Sequence, residues 1–187
     1  SDGGDSWEKV GRDLPDEDLH NVEFADFEDE RWLLVATEVG LFRSLDNGKS
    51  FSKVEIPDLP YHYFRCLTKR ADDSGVMFLS IGDRPSGDDS MMLRSRDHGE
   101  TWEAIDLPGD QCTTIWHIYS NLADPMIVFA ISIFGEVYRS LDGGEIWEKM
   151  DKFLGEAREI CWAPVPNVML GEQQKAWITA DEFLADD

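Results

Sequence analysis

Short runs of apolar residues, rich in β-branched and aromatic types, alternate with polar positions along most of the chain. This is the pattern of β-strands. Residues 113–150 contain four such runs in succession, TTIWHIYS, MIVFAIS, EVYRS and IWEKM. The second run is almost wholly apolar, as expected of a strand that is covered on both faces. No segment keeps the 3.6-residue period of an amphipathic helix beyond a few residues, so the pattern predicts an all-β fold.

The same order of four runs occurs twice more, earlier in the chain. Residues 22–56 contain VEFADF, RWLLVAT, LFRSL and FSKVEI, and residues 64–107 contain FRCLTK, VMFLSI, MMLRS and TWEAIDL. Four antiparallel strands in each period, without a helix, are typical of a β-propeller blade. The sequence therefore predicts a β-propeller of four-stranded antiparallel blades.

A turn between the third and fourth runs sets the period. It reads RSLDNGKSF at 43–51, RSRDHGETW at 94–102 and RSLDGGEIW at 139–147, which we call the first, second and third turns. A shorter copy, the leading turn, reads SDGGDSW at 1–7. In each of these repeated turns a glycine follows the aspartate by two residues, and an aromatic residue follows it by five. The aspartates are 44, 51 and 45 residues apart, which is typical of a repeat architecture.

The residue types of the repeated turns predict a structural role. An aspartate there folds its carboxylate back onto backbone N–H groups, and a serine two residues earlier does the same. Glycine suits a position with positive φ, and the aromatic residue is expected to cover the seam between neighbouring blades. The predicted structural residues are Asp2, Gly4, Trp7, Ser44, Asp46, Gly48, Phe51, Ser95, Asp97, Gly99, Trp102, Ser140, Asp142, Gly144 and Trp147.

The pattern S-x-D-x-G-x-[ST]-[WF] of these turns resembles the Asp-box, also called the BNR repeat. Ser50 and Thr101 fit its penultimate position, whereas Ile146 replaces the usual serine or threonine in the third turn. The resemblance extends over the whole chain and implies a propeller of the sialidase-like and photosystem II assembly factor-like superfamily. Other glycoside hydrolases and sortilin-type receptors share this repeat. Residues 63–167 most resemble bacterial Asp-box propellers of unknown function.

The repeats predict a single propeller domain, or a propeller fragment, over residues 1–187. Its predicted parts are the last strand of a blade at 1–10, blades at 20–56, 63–107 and 113–150, and a partial blade at 158–187. Residues 1–10 would complete the partial blade if four blades closed into a ring, and closure would remove exposed sheet edges. The alternative is part of a larger ring, whose exposed blade flanks would favour a dimer or partner blades.

Charge and composition narrow the range of partners. The chain has 39 acidic and 17 basic residues and a net charge of −22, which argues against nucleic acid as a partner because phosphate backbones are repelled.

No apolar run approaches the roughly 18–20 residues of a membrane span, and no signal peptide is evident, so we expect a soluble protein without membrane insertion. The three cysteines predict neither a disulfide framework nor a zinc site. No motif implies a cofactor or metal.

Ligand sites are expected on the face opposite the repeated turns, where the fourth-to-first and second-to-third connections meet. The candidate residues of this binding face are Tyr61, His62, Tyr63, Arg65, Asp83, Arg84, Trp116 and His117. The tyrosines could stack on a sugar ring while the arginine holds a carboxylate. Alternatively, the tyrosines pack between blades and the arginine pairs with an acidic residue. The acidic loop 82–90 could bind Ca²⁺ or be solvated.

The motifs favour binding over catalysis. A sialidase needs three arginines for the substrate carboxylate and a tyrosine nucleophile activated by a glutamate. Arg43, Arg94 and Arg139 all belong to repeated turns, however, and are expected to face away from the candidate site. We therefore expect a non-catalytic propeller that binds a protein or glycan through the face opposite the turns. The alternative is a glycoside hydrolase of the sialidase-like superfamily. Resemblance to the photosystem proteins implies an assembly factor as a further alternative.

Overall fold

A computed structural model describes residues 3–15, 18–27, 30–111 and 113–164. These residues form three four-stranded antiparallel sheets in which the strands follow one another in chain order. Blade 1 consists of β1 (Leu19–Phe27), β2 (Glu30–Thr37), β3 (Gly40–Ser44) and β4 (Ser52–Lys53). Blade 2 consists of β5 (Tyr63–Lys69), β6 (Met77–Gly82), β7 (Ser90–Ser95) and β8 (Glu103–Ile105). Blade 3 consists of β9 (Ile115–Asn121), β10 (Asp124–Ser132), β11 (Glu136–Ser140) and β12 (Glu148–Phe153). The predicted all-β fold of four-stranded antiparallel blades is confirmed.

Two of the middle strands, β6 and β11, are covered on both faces. Every residue of β6 is buried, and so is every residue of β11. By contrast, β12 is exposed at nearly all positions because it lies at the edge of its sheet. This difference explains why the second run of each repeat is almost continuously apolar in the sequence.

Two apolar cores lie between the blades. The core between blades 1 and 2 contains Leu34 and Leu79, and the core between blades 2 and 3 contains Phe78 and Ile118. Since successive residues of a strand point to opposite faces of the sheet, β6 supplies both cores. The blades therefore pack face to face in chain order. Their first strands lie side by side, because β1 contacts β5 and β5 contacts β9.

The fourth strands of blades 1 and 2 are shorter than the sequence predicts. Only Ser52–Lys53 of the run 51–56 and Glu103–Ile105 of the run 101–107 pair in a sheet. A fourth strand has one neighbour, the third strand of its own blade.

Residues 7–10, predicted as the last strand of a blade, form no strand. A fourth strand needs a third strand to pair with, and the described part of the chain supplies none for this segment. The segment runs beside the first turn instead. Gly11 donates a backbone hydrogen bond to the carbonyl of Gly48 (3.1 Å), and the Asp13 carboxylate accepts one from the N–H of Phe51 (2.8 Å).

The predicted partial blade at 158–187 is described only up to residue 164. Residues 159–164, part of a predicted strand, form no strand but dock against β9. Nδ1 of His117 lies 3.1 Å from the carbonyl oxygen of Ile160. An equivalent contact joins β1 to β5, where Nδ1 of His20 lies 2.6 Å from the carbonyl oxygen of Phe64. Residues 165–187, Asp2 and Cys112 lie outside the described residues. Within the described residues no helix is long and apolar enough to cross a membrane.

Candidate functional site

In the first turn, Asp46 and Ser44 organise the backbone. The Asp46 carboxylate accepts hydrogen bonds from the N–H groups of Lys49 (3.0 Å) and Ser50 (2.8 Å) and from the Ser50 hydroxyl (2.7 Å). The Ser44 hydroxyl accepts one from the N–H of Gly48 (2.8 Å) and donates one to Asp46 (2.8 Å). These hydrogen bonds lower the pKa of Asp46 to about 2, and the two from Ser50 have the largest effect. The carboxylate therefore acts as a clamp on the turn.

The second and third turns repeat this arrangement. Asp97 accepts hydrogen bonds from the N–H (2.8 Å) and hydroxyl (2.6 Å) of Thr101, and Asp142 accepts one from the N–H of Ile146 (2.9 Å). Burial alone would raise the pKa of both carboxyls, but these hydrogen bonds outweigh burial and the pKa of each is lowered. Because Ile146 has no hydroxyl, the third turn lacks the side-chain bond that Ser50 and Thr101 supply.

The glycine of each turn has positive φ, and those of the second and third turns lie close to the preceding blade. At Gly48, Gly99 and Gly144, φ is +83°, +91° and +96°, values that residues with a side chain rarely adopt. A Cβ atom on Gly144 would lie 2.4 Å from the ring of Phe78 in blade 2. Trp147 packs edge-to-face on the same ring, with 5.9 Å between the ring centroids. The third turn thus closes the seam between blades 2 and 3.

The leading turn has the same form but exposes its aromatic residue. At Gly4 φ is +95°, against +96° at Gly144. Nε1 of Trp7 donates a hydrogen bond to the Gly4 carbonyl (3.1 Å), and Trp147 makes the same bond to Gly144 (3.2 Å). Trp7 is nevertheless 91% exposed, whereas Trp147 is 6% exposed. The leading turn is folded, but no blade of the described chain covers its tryptophan.

Arginines join each blade to the turn of the next blade. Arg43 pairs with Glu100 of the second turn (2.7 Å). Arg94 donates to the carbonyl of Gly144 in the third turn (2.5 Å) and pairs with Glu145 there (3.1 Å). The two glutamates were not singled out from the sequence, although each lies three residues after the aspartate of its turn. That regular position is the signal that could have identified them.

The second-to-third and fourth-to-first connections meet on the face opposite the turns. The Thr114 hydroxyl, between blades 2 and 3, donates to the carbonyl of Arg84 in the β6–β7 connection (2.9 Å). The carbonyl of Thr114 accepts a hydrogen bond from the N–H of Ile133 in the β10–β11 connection (3.2 Å). We call this surface the connection face.

Three residues of the connection face form a cation–π cluster, the arginine–tryptophan stack. The guanidinium carbon of Arg65 lies 3.8 Å from the ring centroid of Trp116, and that of Arg158 lies 4.8 Å from it. The residues come from β5, from β9 and from the segment after β12, so three successive inner segments contribute. Nε of Arg65 is buried and has no hydrogen-bond partner among the described residues. Arg65 thus stacks on an indole, and among the residues that the structure describes it forms no ion pair with an acidic side chain.

Tyr63 lies next to this stack but is closed to a ligand. It is 5% exposed, and its ring packs on that of His20 with 4.7 Å between the centroids. Burial raises the pKa of the Tyr63 hydroxyl. Of the two alternatives for Tyr63, stacking on a sugar or packing between blades, packing describes its position, since its ring packs between blades 1 and 2. The reason is that Tyr63 begins a first strand, where the side chains are covered by the neighbouring blade.

The remaining candidates are held by their neighbours. Burial, as the largest cause, lowers the pKa of His117, and its Nδ1 lies 3.1 Å from the carbonyl oxygen of Ile160. In the loop 82–90, Arg84 pairs with Asp88 (2.9 Å) and lies 3.7 Å from Asp83. The described residues contain no cluster of three or more His, Cys, Asp or Glu side chains suited to a metal ion. The Ca²⁺ alternative for this loop therefore has no geometric support.

Tyr61 and His62 line a separate groove of about 350 Å³ between the β2–β3 connection and the segment before β5. Its other lining residues were not predicted from the sequence; they are Val39, Lys53, Val54, Glu55, Ile56, Asp58, Leu59 and Phe64. The candidate residues are thus divided. Arg65 and Trp116 meet in the stack, Tyr61 and His62 meet in the groove, and Arg84 stays in its own loop.

The fold of the chain is that of larger propellers. An ancestral GH74 enzyme matches with a TM-score of 0.61 and 19% identity, over 78% of this chain and 20% of the enzyme. The GH74 enzyme of Niastella koreensis matches with a TM-score of 0.53 and 17% identity, over 71% of this chain and 22% of the enzyme. YCF48 bound to D1 peptide matches with a TM-score of 0.53 and 19% identity, over 74% of this chain and 41% of YCF48.

At these identities the solved structures show the fold alone, and the chain spans about a fifth of each enzyme and two fifths of YCF48. No curated protein matches the chain. The family model described as sortilin, neurotensin receptor 3, matches residues 1–129, which include the leading turn, blades 1 and 2 and the start of blade 3. This match covers more than half of the sequence, and the chain belongs to the sortilin (Vps10) family.

Proposed function

We propose that the chain is a non-catalytic propeller module that binds a peptide segment of a partner protein on its connection face. The arginine–tryptophan stack is the observation that carries this proposal. It places two planar cations against one indole in a chain whose net charge is −22. Guanidinium groups in such a setting recognise carboxylates and carbonyls through their remaining N–H donors.

The geometry of the stack favours an extended, polar ligand. Arg65 and Trp116 are half-buried and hold each other in place, while the Arg158 side chain is 57% exposed. The buried Nε of Arg65 is a donor without a partner among the described residues. A buried donor left unpaired costs about 1–3 kcal/mol, so the stacked position of Arg65 is held at a cost in stability, as is typical of functional side chains.

Relatives support a peptide as the ligand. YCF48 has been solved with D1 peptide bound, and the matching family model carries the name of a neurotensin receptor. Hydrolysis has less support in the chain itself, because the carboxylates of Asp83 and Asp88 are engaged by Arg84, and that of Asp83 also by the backbone N–H of Asp89. The clamp geometry of Asp46 and Asp97 further supports the interpretation of the repeated turns as Asp-boxes.

The domain organisation is a proposal of the same kind. Residues 158–164 dock on β9 through His117 as β5 docks on β1 through His20. This likeness supports the interpretation that residues 158–187 begin a further blade. The connection face would then continue beyond blade 3, with Arg158 at the junction.

The test is selection of peptides from a displayed random library on the purified chain, followed by affinity measurements on variants. Arg65→Ala is expected to weaken the selected peptides by at least about tenfold, which corresponds to about 1.4 kcal/mol. Arg65→Lys keeps the charge but loses the planar stacking group, so it should also weaken them. Arg31→Ala is the matched control, because Arg31 is exposed and pairs with Asp26 at the opposite face.

Two results would contradict the proposal. One is equal affinity of the selected peptides for the wild-type chain, Arg65→Ala and Arg31→Ala, with all three proteins folded by circular dichroism. The other is turnover of fluorogenic glycosides, sialosides included, in proportion to protein concentration. Binding on a glycan array without any selected peptide would assign the face to carbohydrate instead.

A further inference from the structure

The segments that cross from one blade to the next are held differently in the three blades. In blade 3 the N–H of Ala157 donates to the carbonyl of Ile133 in the β10–β11 connection (3.0 Å). Between blades 2 and 3 the Thr114 hydroxyl donates to the carbonyl of Arg84 in the β6–β7 connection (2.9 Å). The crossing segment 55–62 makes no such hydrogen bond to the β2–β3 connection within the described residues. The groove of about 350 Å³ that lies between these two segments is therefore a feature of blade 1 itself; we call it the blade 1 groove.

The walls of the blade 1 groove are apolar and fixed in place. Its apolar lining includes Val39, Val54, Ile56, Leu59 and Tyr61. The last four are half-buried and pack against the core between blades 1 and 2. An apolar group that enters the groove therefore gains burial without having to order the protein first. The volume lies at the lower end of the roughly 300–1,000 Å³ of ligand pockets, which suits side chains of a peptide.

The rim of the blade 1 groove is acidic. Glu55 and Asp58 are exposed residues of its lining, and Glu38, next to Val39, is also exposed. Lys53 is the one lysine or arginine among the lining residues that the structure describes. The arginine–tryptophan stack, by contrast, carries two guanidinium groups. The two sites therefore attract groups of opposite charge.

Asp58 keeps a carboxylate at a position that suits glycine. Its φ is +58°, in the left-handed region that a side chain enters at a cost in free energy. The segment VEIPD at 54–58 matches IDLPG at 105–109, so the equivalent residue after blade 2 is Gly109, with φ of +74°. Strained residues of this kind cluster at binding sites, and here the strain keeps a negative charge beside the groove.

A single segment connects the blade 1 groove to the stack. Tyr61 and Phe64 line the groove, and Arg65, the next residue, stacks on Trp116. An extended chain advances about 3.3 Å per residue, so residues 61–65 span about 13 Å. An extended ligand peptide covers the same distance with about four residues.

We infer that the blade 1 groove binds an apolar side chain of the partner peptide, and that a basic residue next to this side chain faces Glu55 and Asp58. The inference rests on the proposed function, because the stack binds the same peptide through a carboxylate or carbonyl about four residues away. A peptide is the occupant because the two sites require an apolar group and opposite charges within one extended ligand. The ligand class is thus a peptide with an apolar–basic pair at one end and an acidic or carbonyl acceptor at the other.

The experiment measures the affinity of peptides selected on the wild-type chain for two groove variants and two matched controls. Val39→Glu places a charge on the groove wall, and Val39 is exposed, so the blade tolerates it. Asp58→Gly removes the rim carboxylate and relieves the backbone. Leu122→Glu is the control for the added charge, because Leu122 is 77% exposed in the β9–β10 turn. Asp73→Gly is the control for the lost carboxylate, because Asp73 is exposed in the β5–β6 connection and also has positive φ (+53°).

Val39→Glu is expected to weaken the selected peptides by at least about tenfold, as loss of an apolar anchor does. Asp58→Gly should weaken them by about threefold, the effect of an exposed charge pair, and only when the peptide retains its basic residue. This smaller effect should disappear at about 1 M salt, where exposed charges are screened. Both controls should bind as the wild-type chain does, and the melting temperature of Asp58→Gly should be equal or higher. Near-ultraviolet circular dichroism checks that each variant is folded.

The results separate this inference from the proposed function. Peptides that lose affinity in Arg65→Ala but bind Val39→Glu as tightly as the wild-type chain would overturn the inference and leave the proposed function standing. Peptides that depend on Val39 but not on Arg65 would contradict the proposed function and the link between the two sites. Equal affinity for a peptide and for its variant with the basic residue replaced by glutamate would overturn the assignment of charge. Self-association that Val39→Glu abolishes, with no peptide competing for it, would assign the groove to a second copy instead.

Discussion

Substituting the glycines of the repeated turns by alanine separates backbone strain from blade packing. Gly48, Gly99 and Gly144 occupy one position of the turn with φ of +83°, +91° and +96°. Alanine at each therefore costs a similar backbone strain of about 1–2 kcal/mol. What differs is the neighbour that the new methyl group would meet.

The distances predict a graded loss of stability. At Gly48 the nearest atom is a methyl carbon of Val10 at 3.3 Å, and at Gly99 it is the end of the Leu34 side chain at 2.8 Å. At Gly144 it is the ring of Phe78 at 2.4 Å, and this ring is fully buried, so it has little room to move. Overpacking of a well-packed core costs a further 1–3 kcal/mol, roughly. We expect losses of about 1–2 kcal/mol for Gly48→Ala and about 2–5 kcal/mol for Gly144→Ala, with Gly99→Ala between them.

Urea unfolding followed by tryptophan fluorescence measures the three free energies of unfolding. Gly48→Ala serves as the internal control, because it shares the strain and lacks the clash. Equal losses in all three variants would refute the argument, since they would mean that the turns do not press against the preceding blade. A larger loss of stability in Gly48→Ala than in Gly144→Ala would refute the packing argument more strongly.

Two further predictions concern the aspartate clamp. Asp97→Ala is expected to lower the free energy of unfolding by about 1–2 kcal/mol, because it removes the acceptor of the Thr101 hydrogen bonds. The affinity for peptide should stay unchanged, and loss of binding by the folded variant would contradict this prediction. Acidification is expected to lower the melting temperature between about pH 4 and pH 2. The pKa of the Asp46 carboxyl is 3.8 in the unfolded chain and about 2 in the folded chain, so the unfolded chain binds the proton at higher pH and is favoured as the pH falls. The drop should be smaller in Asp46→Asn, and a melting temperature that is constant over this range would contradict the clamp.

Much of the fold follows from local sequence. The apolar runs predict the strands because middle strands such as β6 are covered on both faces. The D-x-G turns predict the hairpins because the carboxylate and glycine act within a few residues. The fourth strands are harder to predict, since runs such as 51–56 and 101–107 have suitable residues but only partial pairing. Residues 7–10 were predicted as a strand and form none, because a strand needs a neighbouring strand to pair with, which the local sequence does not specify.

The candidate site follows less well, because it depends on contacts between blades. Arg65 and Trp116 lie 51 residues apart in the sequence, and no local pattern states that their side chains stack. The sequence leaves Tyr63 with two alternatives, sugar stacking and packing between blades, and its place at the start of a first strand buries it against His20. Glu145 was overlooked because it lies in a turn treated as self-contained, while its partner Arg94 belongs to the previous blade.

The arginines that contact the turn of the next blade couple the stability of each blade to that of its nearest neighbours. Blade 2 contacts the turn of blade 3 through Arg94, and its own turn contacts Arg43 of blade 1, so blade 2 has these ion pairs on both sides. Blades 1 and 3 are fastened in this way on one side within the described chain. In an array coupled only between nearest neighbours, opening starts at the ends and the central unit opens last. We therefore expect the amide hydrogens of β6 to be the slowest to exchange with solvent in the described part of the chain.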